Sequence, residues 1–220
     1  NFVIDASISD YLIVTAKDES GLNTLIIVVD SKSKGIEYND KVHMDSRTYS
    51  DLKFNNVKID KNNFLSFEGD GKSILDKTFD IARVGLAAEM LGSVQEAFEI
   101  TMKYLKEREQ FGVKIGSFQA LQHRSALMFG EIELCKSIVL KALQSIDSND
   151  PNLSKNASLA KAKLGMVLKL VSNESVQMHG GIGVTDDADI GFFLKRARVV
   201  QRILGDSNYH LDRLAKINNY

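Results

Sequence analysis

Along the chain the spacing of apolar residues changes once. In the first part they fall in runs of five to eight residues between turn signals: DYLIVTAK, a DESG turn, NTLIIVVD, a KSKG turn, then SDLKFNNVKI. Val, Ile, Thr and Tyr dominate these runs, the composition of antiparallel β structure. LIIVV is apolar throughout and predicts a central, buried strand. After EGDGK at 68–72 the period becomes helical. Ser73–Glu109 carries apolar residues at i, i+3, i+4 spacing without proline, which predicts one helix on the order of 50 Å long at about 1.5 Å per residue. Within it GLAAEMLGS, residues 85–93, gathers small side chains that would let a neighbouring backbone come close. Further helices are predicted from Phe118 to Asp147, Leu153 to His179, Asp187 to Leu204 and Asp206 to Ile217, and SNDP holds the single proline. Long helices with short connections make a bundle. The fold class is α+β: a partial antiparallel β domain over 1–70, then an antiparallel four-helix-bundle-like domain over 71–220 with additional short C-terminal helices. The β segment is too small to close a core alone. It opens at Asn1 already in strand pattern, so the sequence reads as part of a longer chain.

Composition narrows the function classes. Apolar residues at 44% and charged residues at 26% are ordinary for a globular protein. A formal net charge of -1 gives no electrostatic reason to expect nucleic acid or an anionic membrane surface as partner. No apolar run has the length of a bilayer span, and no targeting segment is visible. The single cysteine, Cys135, excludes an internal disulfide framework and a Cys-based zinc site, and its helical stretch GEIELCKSIVL predicts a buried, inert thiol. No metal site is expected.

QMHGGIGVTD, residues 177–186, holds three glycines. A dinucleotide-binding glycine loop needs a strand before the glycines and a helix after them. Here LGMVLKLVSNESVQMH precedes them and reads as helix, so the segment is a helix end.

Four clusters carry the remaining chemistry, in this order: FDIAR (79–83), KEREQFG (106–112) with SFQALQH (117–123), VQMHGG (176–181), and QRILGDSNYH (201–210). Together they resemble the flavin-dependent acyl-CoA dehydrogenase family, over the latter part of its middle β domain and its C-terminal helical domain. R-x-Q-F-G followed by F-Q-x-x-Q, and then Q-x-H-G-G-x-G in a later helix, is the specific part of the signal. The resemblance implies FAD as cofactor, an acyl-CoA substrate, α,β-dehydrogenation with hydride transfer to the flavin, and a homo- or hetero-oligomer (dimer or tetramer). It further implies a cytoplasmic location in a bacterium, or a matrix-like one in a eukaryote. Arg108 resembles the arginine that reaches a neighbouring subunit's FAD, where a guanidinium suits a pyrophosphate. Phe111 and Gln119 resemble positions that pack on or hydrogen-bond the dinucleotide. Gln177 and the backbone of Met178, His179, Gly180 and Gly181 resemble the segment meeting its adenosine end. His179 also reads as a neutral histidine hydrogen-bonded to the helix end, with no catalytic role. Phe79, Asp80 and Arg83 resemble the family's acyl-CoA contacts, although Asp80 and Arg83 also have the spacing of an ordinary intrahelical ion pair.

The reaction needs a positioned carboxylate to take the α proton. Most members place a glutamate in a Y-E-G-T-like stretch; aligned on Q and G, that position is Leu204. A minority keep the base on the long helix just before the arginine, and that position is Ala82. Leucine and alanine accept no proton. The family's T-x-Q flavin contact reads Asp206-Ser207-Asn208. Three readings stay open: a base-deficient subunit of a heteromeric member, since GD followed by Y-H-x-x-R-L-A resembles such chains; Asp206 as a displaced base; or a scaffold that binds and assembles without turnover. Capping of the last helix describes Asp206 equally well. A helix-bundle interaction protein is the rival class, with Arg83, Arg108 and Gln177 as the discriminating residues.

Overall fold

A computed structural model describes residues 1–65 and 71–220. Most of EGDGK, where the period changes, lies outside the described residues. The chain divides into two compact units, Asn1–Thr78 and Phe79–Tyr220.

The first unit holds β1 (Val3–Ile4), β2 (Tyr11–Lys17), β3 (Thr24–Asp30), β4 (Ile36–Val42) and β5 (Thr48–Phe54). β1, β5 and β4 form one antiparallel sheet in that order, and β2 pairs with β3 in another. Alternation along the strands turns Leu12, Ile27 and Val29 inward, where Ile36, Tyr38 and Leu52 of the other sheet pack on them. Among the described residues the buried LIIVV strand, β3, pairs along its length with β2 and carries a bridge from Ile27 to Phe64. Two details depart from the sequence reading. SDLKFNNVKI is not one strand, because Asn56 adopts φ 52 and the amide of Asn55 turns to the Gly35 carbonyl at 2.8 Å. β4 carries no apolar run, only Ile36, Tyr38 and Val42 on one face with Asp40 breaking the series, and its pairing with β5 makes it a strand.

α1 (Gly71–Glu107) runs from the end of the first unit into the second, and at 37 residues measures about 55 Å. A two-residue hairpin follows, β6 (Glu109–Gln110) and β7 (Val113–Lys114), and then α2 (Gln119–Asp147) and α3 (Leu153–His179). A 3-10 turn over Gly180–Val184 leads to α4 (Ile190–Val200) and α5 (Ser207–Ile217). Helices and antiparallel sheets together make the fold α+β. α3 is the buried axis, with Leu164, Leu168 and Val171 packed among Val84, Met90 and Val94 of α1 and Met128 and Ile132 of α2. Cys135 is among these core residues, and burial pushes its thiol up to about 11. α4 is shorter than the period predicts, because residues 201–204 form a turn that ends with Leu204 and Gly205 both at positive φ.

Among the described residues no backbone approaches Gly85 or Gly92 of α1: a Cβ at either would meet nothing within 4 Å. Close approach occurs instead on α3. A Cβ at Gly165 would stand 2.2 Å from Ser207 Oγ, so glycine there leaves room for that hydroxyl at the start of α5. Ser207 Oγ then donates to the Ala162 carbonyl (3.1 Å) and Gln201 Nε2 to the Gly165 carbonyl (2.9 Å), fixing the intervening turn on α3.

Leu164 is fully buried in this core. Leu164→Ala should therefore lower the urea midpoint by an amount worth about 2–5 kcal/mol, with an unchanged slope.

Candidate functional site

Asp80 lies on the inward face of α1 and is 1% exposed. Each of its oxygens accepts two hydrogen bonds. Oδ1 receives Arg83 Nη1 (2.8 Å) and Arg213 Nη1 (2.6 Å); Oδ2 receives Arg213 Nη2 (2.9 Å) and Ser154 Oγ (2.5 Å). Burial is the largest influence on this carboxyl and pushes its pKa up, but the bonds from Arg213, Ser154 and Arg83 outweigh it and hold the group below its ordinary value. The pair read from sequence as an i, i+3 contact is thus part of a buried network, and the Asp80 carboxylate is committed to protein donors.

The network closes on itself. Arg83 Nε donates to the Leu204 carbonyl (3.2 Å), and so does His210 Nε2 (3.1 Å). A carbonyl only accepts, which puts the ring proton on Nε2 and leaves Nδ1 to take the Ser158 hydroxyl at 3.3 Å. Ser158 Oγ accepts from Arg213 Nη1 at 2.8 Å, completing the circuit back to Asp80. Leu204 is held there at φ 58. Beside it the fully buried Lys161 donates to the carbonyls of Val200 (3.3 Å), Gln201 (3.0 Å) and Gly205 (2.9 Å). Burial pulls Lys161 down to about 8, opposed by the charge of Asp206. Burial also pulls His210 down to about 4, helped by the charges of Arg83 and Lys161. Asp206 caps α5, its Oδ1 accepting from the Tyr209 amide at 2.9 Å. The Arg83 guanidinium carbon sits 5.9 Å from the ring centres of both Phe79 and Tyr209. Ala82 is exposed on the opposite side of α1.

A second group of residues gathers at the far end of α1. Arg108 follows the last turn with its side chain exposed, and its carbonyl accepts from Ile115 (2.9 Å) to close the hairpin. The two turn residues, Phe111 (φ 54) and Gly112 (φ 77), are both left-handed. That matches the strand twist in a two-residue hairpin but disfavours any residue with a Cβ. Phe111 is nonetheless 92% exposed, with Phe118 its ring neighbour at 6.3 Å. Gln119 opens α2, exposed. The end of α3 belongs to the same region, because Tyr104 of α1 stacks on the His179 ring at 4.4 Å and its hydroxyl donates to the His179 carbonyl at 3.2 Å. His179 is buried, its Nδ1 bonded to the Ser175 carbonyl at 2.7 Å, and Met178 is buried as well. Gln177 points outward, and Gly180 (φ 66) and Gly181 face open space. Gln177 and the glycine backbone are therefore available to a ligand, while the side chains of Met178 and His179 are not.

The expected residues thus form two groups. Asp80 and Tyr104 are separated along α1 by about 36 Å, at about 1.5 Å per residue, so the two groups do not share one reaction centre within a single chain. Sequence reasoning missed Ser154, Ser158 and Lys161, although a polar stripe at i, i+4, i+7 in an apolar helix was the available signal. It quoted Tyr209, His210 and Arg213 without giving them partners. Among the described residues no group of three His, Cys, Asp or Glu could hold a metal, and no helix is long and apolar enough to cross a membrane.

Residues 69–217 match the family described as "Acyl-CoA dehydrogenase, C-terminal domain". The chain is 34% identical over 212 residues to the 3-(aryl)acrylate reductase of Clostridium sporogenes, covering 94% of this chain and 56% of that protein. It is 32% identical to the caffeyl-CoA reductase-Etf complex subunit CarC of Acetobacterium woodii, over 90% of this chain and 54% of that one. Against the butyryl-CoA dehydrogenase structure from Megasphaera elsdenii the TM-score is 0.93 at 27% identity, covering 100% of this chain and 58% of the other. The chain spans about half the length of the relatives it matches.

Two measurements check the buried network. Asp80→Asn leaves two guanidiniums without their counter-charge and should cost about 3–5 kcal/mol in urea unfolding. His210 is neutral when folded, with its pKa lowered to about 4 from 6.5. The unfolded chain therefore binds more protons between those values, and the stability held above pH 6.5 should fall by about 3 kcal/mol as pH drops to about 4. Asp80, lowered as well, adds a further loss below its own ordinary value. His210→Gln should flatten the upper part of that slope.

Proposed function

Because this chain belongs to the acyl-CoA dehydrogenase family, we propose that it forms part of an FAD-dependent flavoprotein acting at the α and β carbons of an acyl-CoA thioester. FAD, when bound, accepts or returns the hydride of the β carbon. The chain's own residues bind and orient. Arg108 supplies a guanidinium for the pyrophosphate, Phe111 an aromatic face, and Gln119, Gln177 and the open backbone at Gly180 and Gly181 the remaining polar contacts. Met178 and His179 contribute backbone only.

The observation that carries this reading is the Phe111–Gly112 turn. A left-handed phenylalanine strains the backbone by about 1–2 kcal/mol, and at 92% exposure Phe111 returns little packing to its own chain. An aromatic kept there, beside an exposed arginine and an open glycine backbone, fits an anionic aromatic dinucleotide. The separation along α1 supports a cofactor held mainly by a neighbouring copy or partner chain, in a homo- or hetero-oligomer. At the other end, Arg83 and Phe79 serve the thioester, and Asp80 fixes Arg83 rather than touching substrate.

A second reading, a subunit that binds without turning over, is favoured by Leu204 and Ala82 at the family's two base positions and by Asp206 being engaged as a cap. A homomeric preparation of the complete protein that exchanges electrons with a CoA thioester at ordinary rates would rule it out. Arg108→Ala should weaken FAD binding by about 10-fold or more, the scale of one lost charge-assisted contact, with the thermal midpoint of the flavin-free protein unchanged. Undiminished flavin affinity in that variant would remove Arg108 from the site.

A further inference from the structure

We propose that Tyr209 donates the proton that reaches the α carbon when this site reduces an α,β-unsaturated acyl thioester; the inference rests on the functional reading above. Every other titratable group packed around Leu204 is occupied or cannot give a proton. Asp80 is buried and accepts four hydrogen bonds. Lys161 is buried against three carbonyls, and the buried His210 gives its one ring proton to the Leu204 carbonyl. Asp206 caps α5, and the guanidiniums of Arg83 and Arg213 do not release protons. Tyr209 carries a hydroxyl and is 49% exposed.

Its ring is packed against the turn that bears Leu204. A Cβ at Gly205 would stand 2.3 Å from Tyr209 Cδ1, so glycine there is what lets the ring lie against the turn that bears Leu204. His210 holds it edge-on at 5.0 Å, and the Arg83 guanidinium carbon is 5.9 Å from its centre. A tyrosine hydroxyl carries a proton it can give, and tyrosine is one of the side chains that serve as general acids. Addition to an unsaturated thioester needs an acid. The O–H bond of Tyr209 breaks and a C–H bond forms at the α carbon. The pair of the former double bond takes that proton, while FAD, when bound and reduced, would supply a hydride with its own electron pair for the new C–H bond at the β carbon. The thioester gains two electrons and the flavin loses two. Arg83 stabilises the phenolate left behind, and solvent reprotonates it. Two relatives carry the names of reductases, one of arylacrylates and one of caffeyl-CoA.

The test uses the complete protein and cinnamoyl-CoA. In the flavin-free form, N-acetylimidazole acetylates exposed phenols, and peptide mass spectrometry should show Tyr209 protected by saturating cinnamoyl-CoA. Tyr209→Phe should leave FAD uptake and cinnamoyl-CoA affinity unchanged. Its rate of cinnamoyl-CoA reduction, from dithionite-reduced protein, should fall by about 10²–10⁴-fold, the range for a lost general acid. Equal acetylation of Tyr209 with and without the thioester, or wild-type reduction by Tyr209→Phe, overturns the proposal while leaving the flavoprotein reading standing. A wild-type protein that takes up no FAD overturns both.

Discussion

The arrangement of the helical unit hangs on one buried carboxylate. A lone charge at the depth of Asp80 would be too costly to keep, so its presence requires donors, and the donors come from three helices. Arg83 comes from α1 itself, Ser154 from α3 and Arg213 from α5. Satisfying one side chain therefore fixes the register of three elements at once. Apolar packing tolerates sliding by a fraction of a turn, but bidentate guanidinium geometry does not. The turn from 201 to 205 inherits this order, because its carbonyls are taken by Arg83, His210 and Lys161.

The two ends of α1 differ in kind. At one end, polar groups face inward and are saturated, and what remains open is the rim around Arg83: Phe79, Tyr209 and the Leu204 turn. At the other, the polar and aromatic groups of the hairpin and of the α3 terminus face outward. A rigid helix keeps these regions at constant spacing. The first end holds a backbone turn still, and the second presents its polar and aromatic groups to solvent.

The long helices were readable because period and punctuation agreed. α3 begins and ends where the sequence predicts, with SNDP before it and glycines after it. The fold class and the family motifs were readable for the same reason, being local. β4 was not, since Asp40 interrupts the alternation of Ile36, Tyr38 and Val42 and the segment becomes a strand only by pairing with β5. The surroundings of Asp80 could not be read either: Ser154 lies 74 residues away along the chain and Arg213 lies 133 away. Local spacing offered Arg83 as a partner and gave no hint that the pair was buried. His179 was readable as a histidine bonded to its helix end, because the Ser175 carbonyl is one turn back on the same helix.

The left-handed Phe111 is a strained residue that returns little packing to its own chain. A chain refined only for its own stability would carry asparagine or glycine at the first position of that turn, since either takes the conformation at less strain. Stabilising substitutions chosen from backbone geometry alone would therefore begin at Phe111 and would remove its aromatic ring. The hairpin marks the place where gaining stability and keeping an exposed aromatic ring pull against each other.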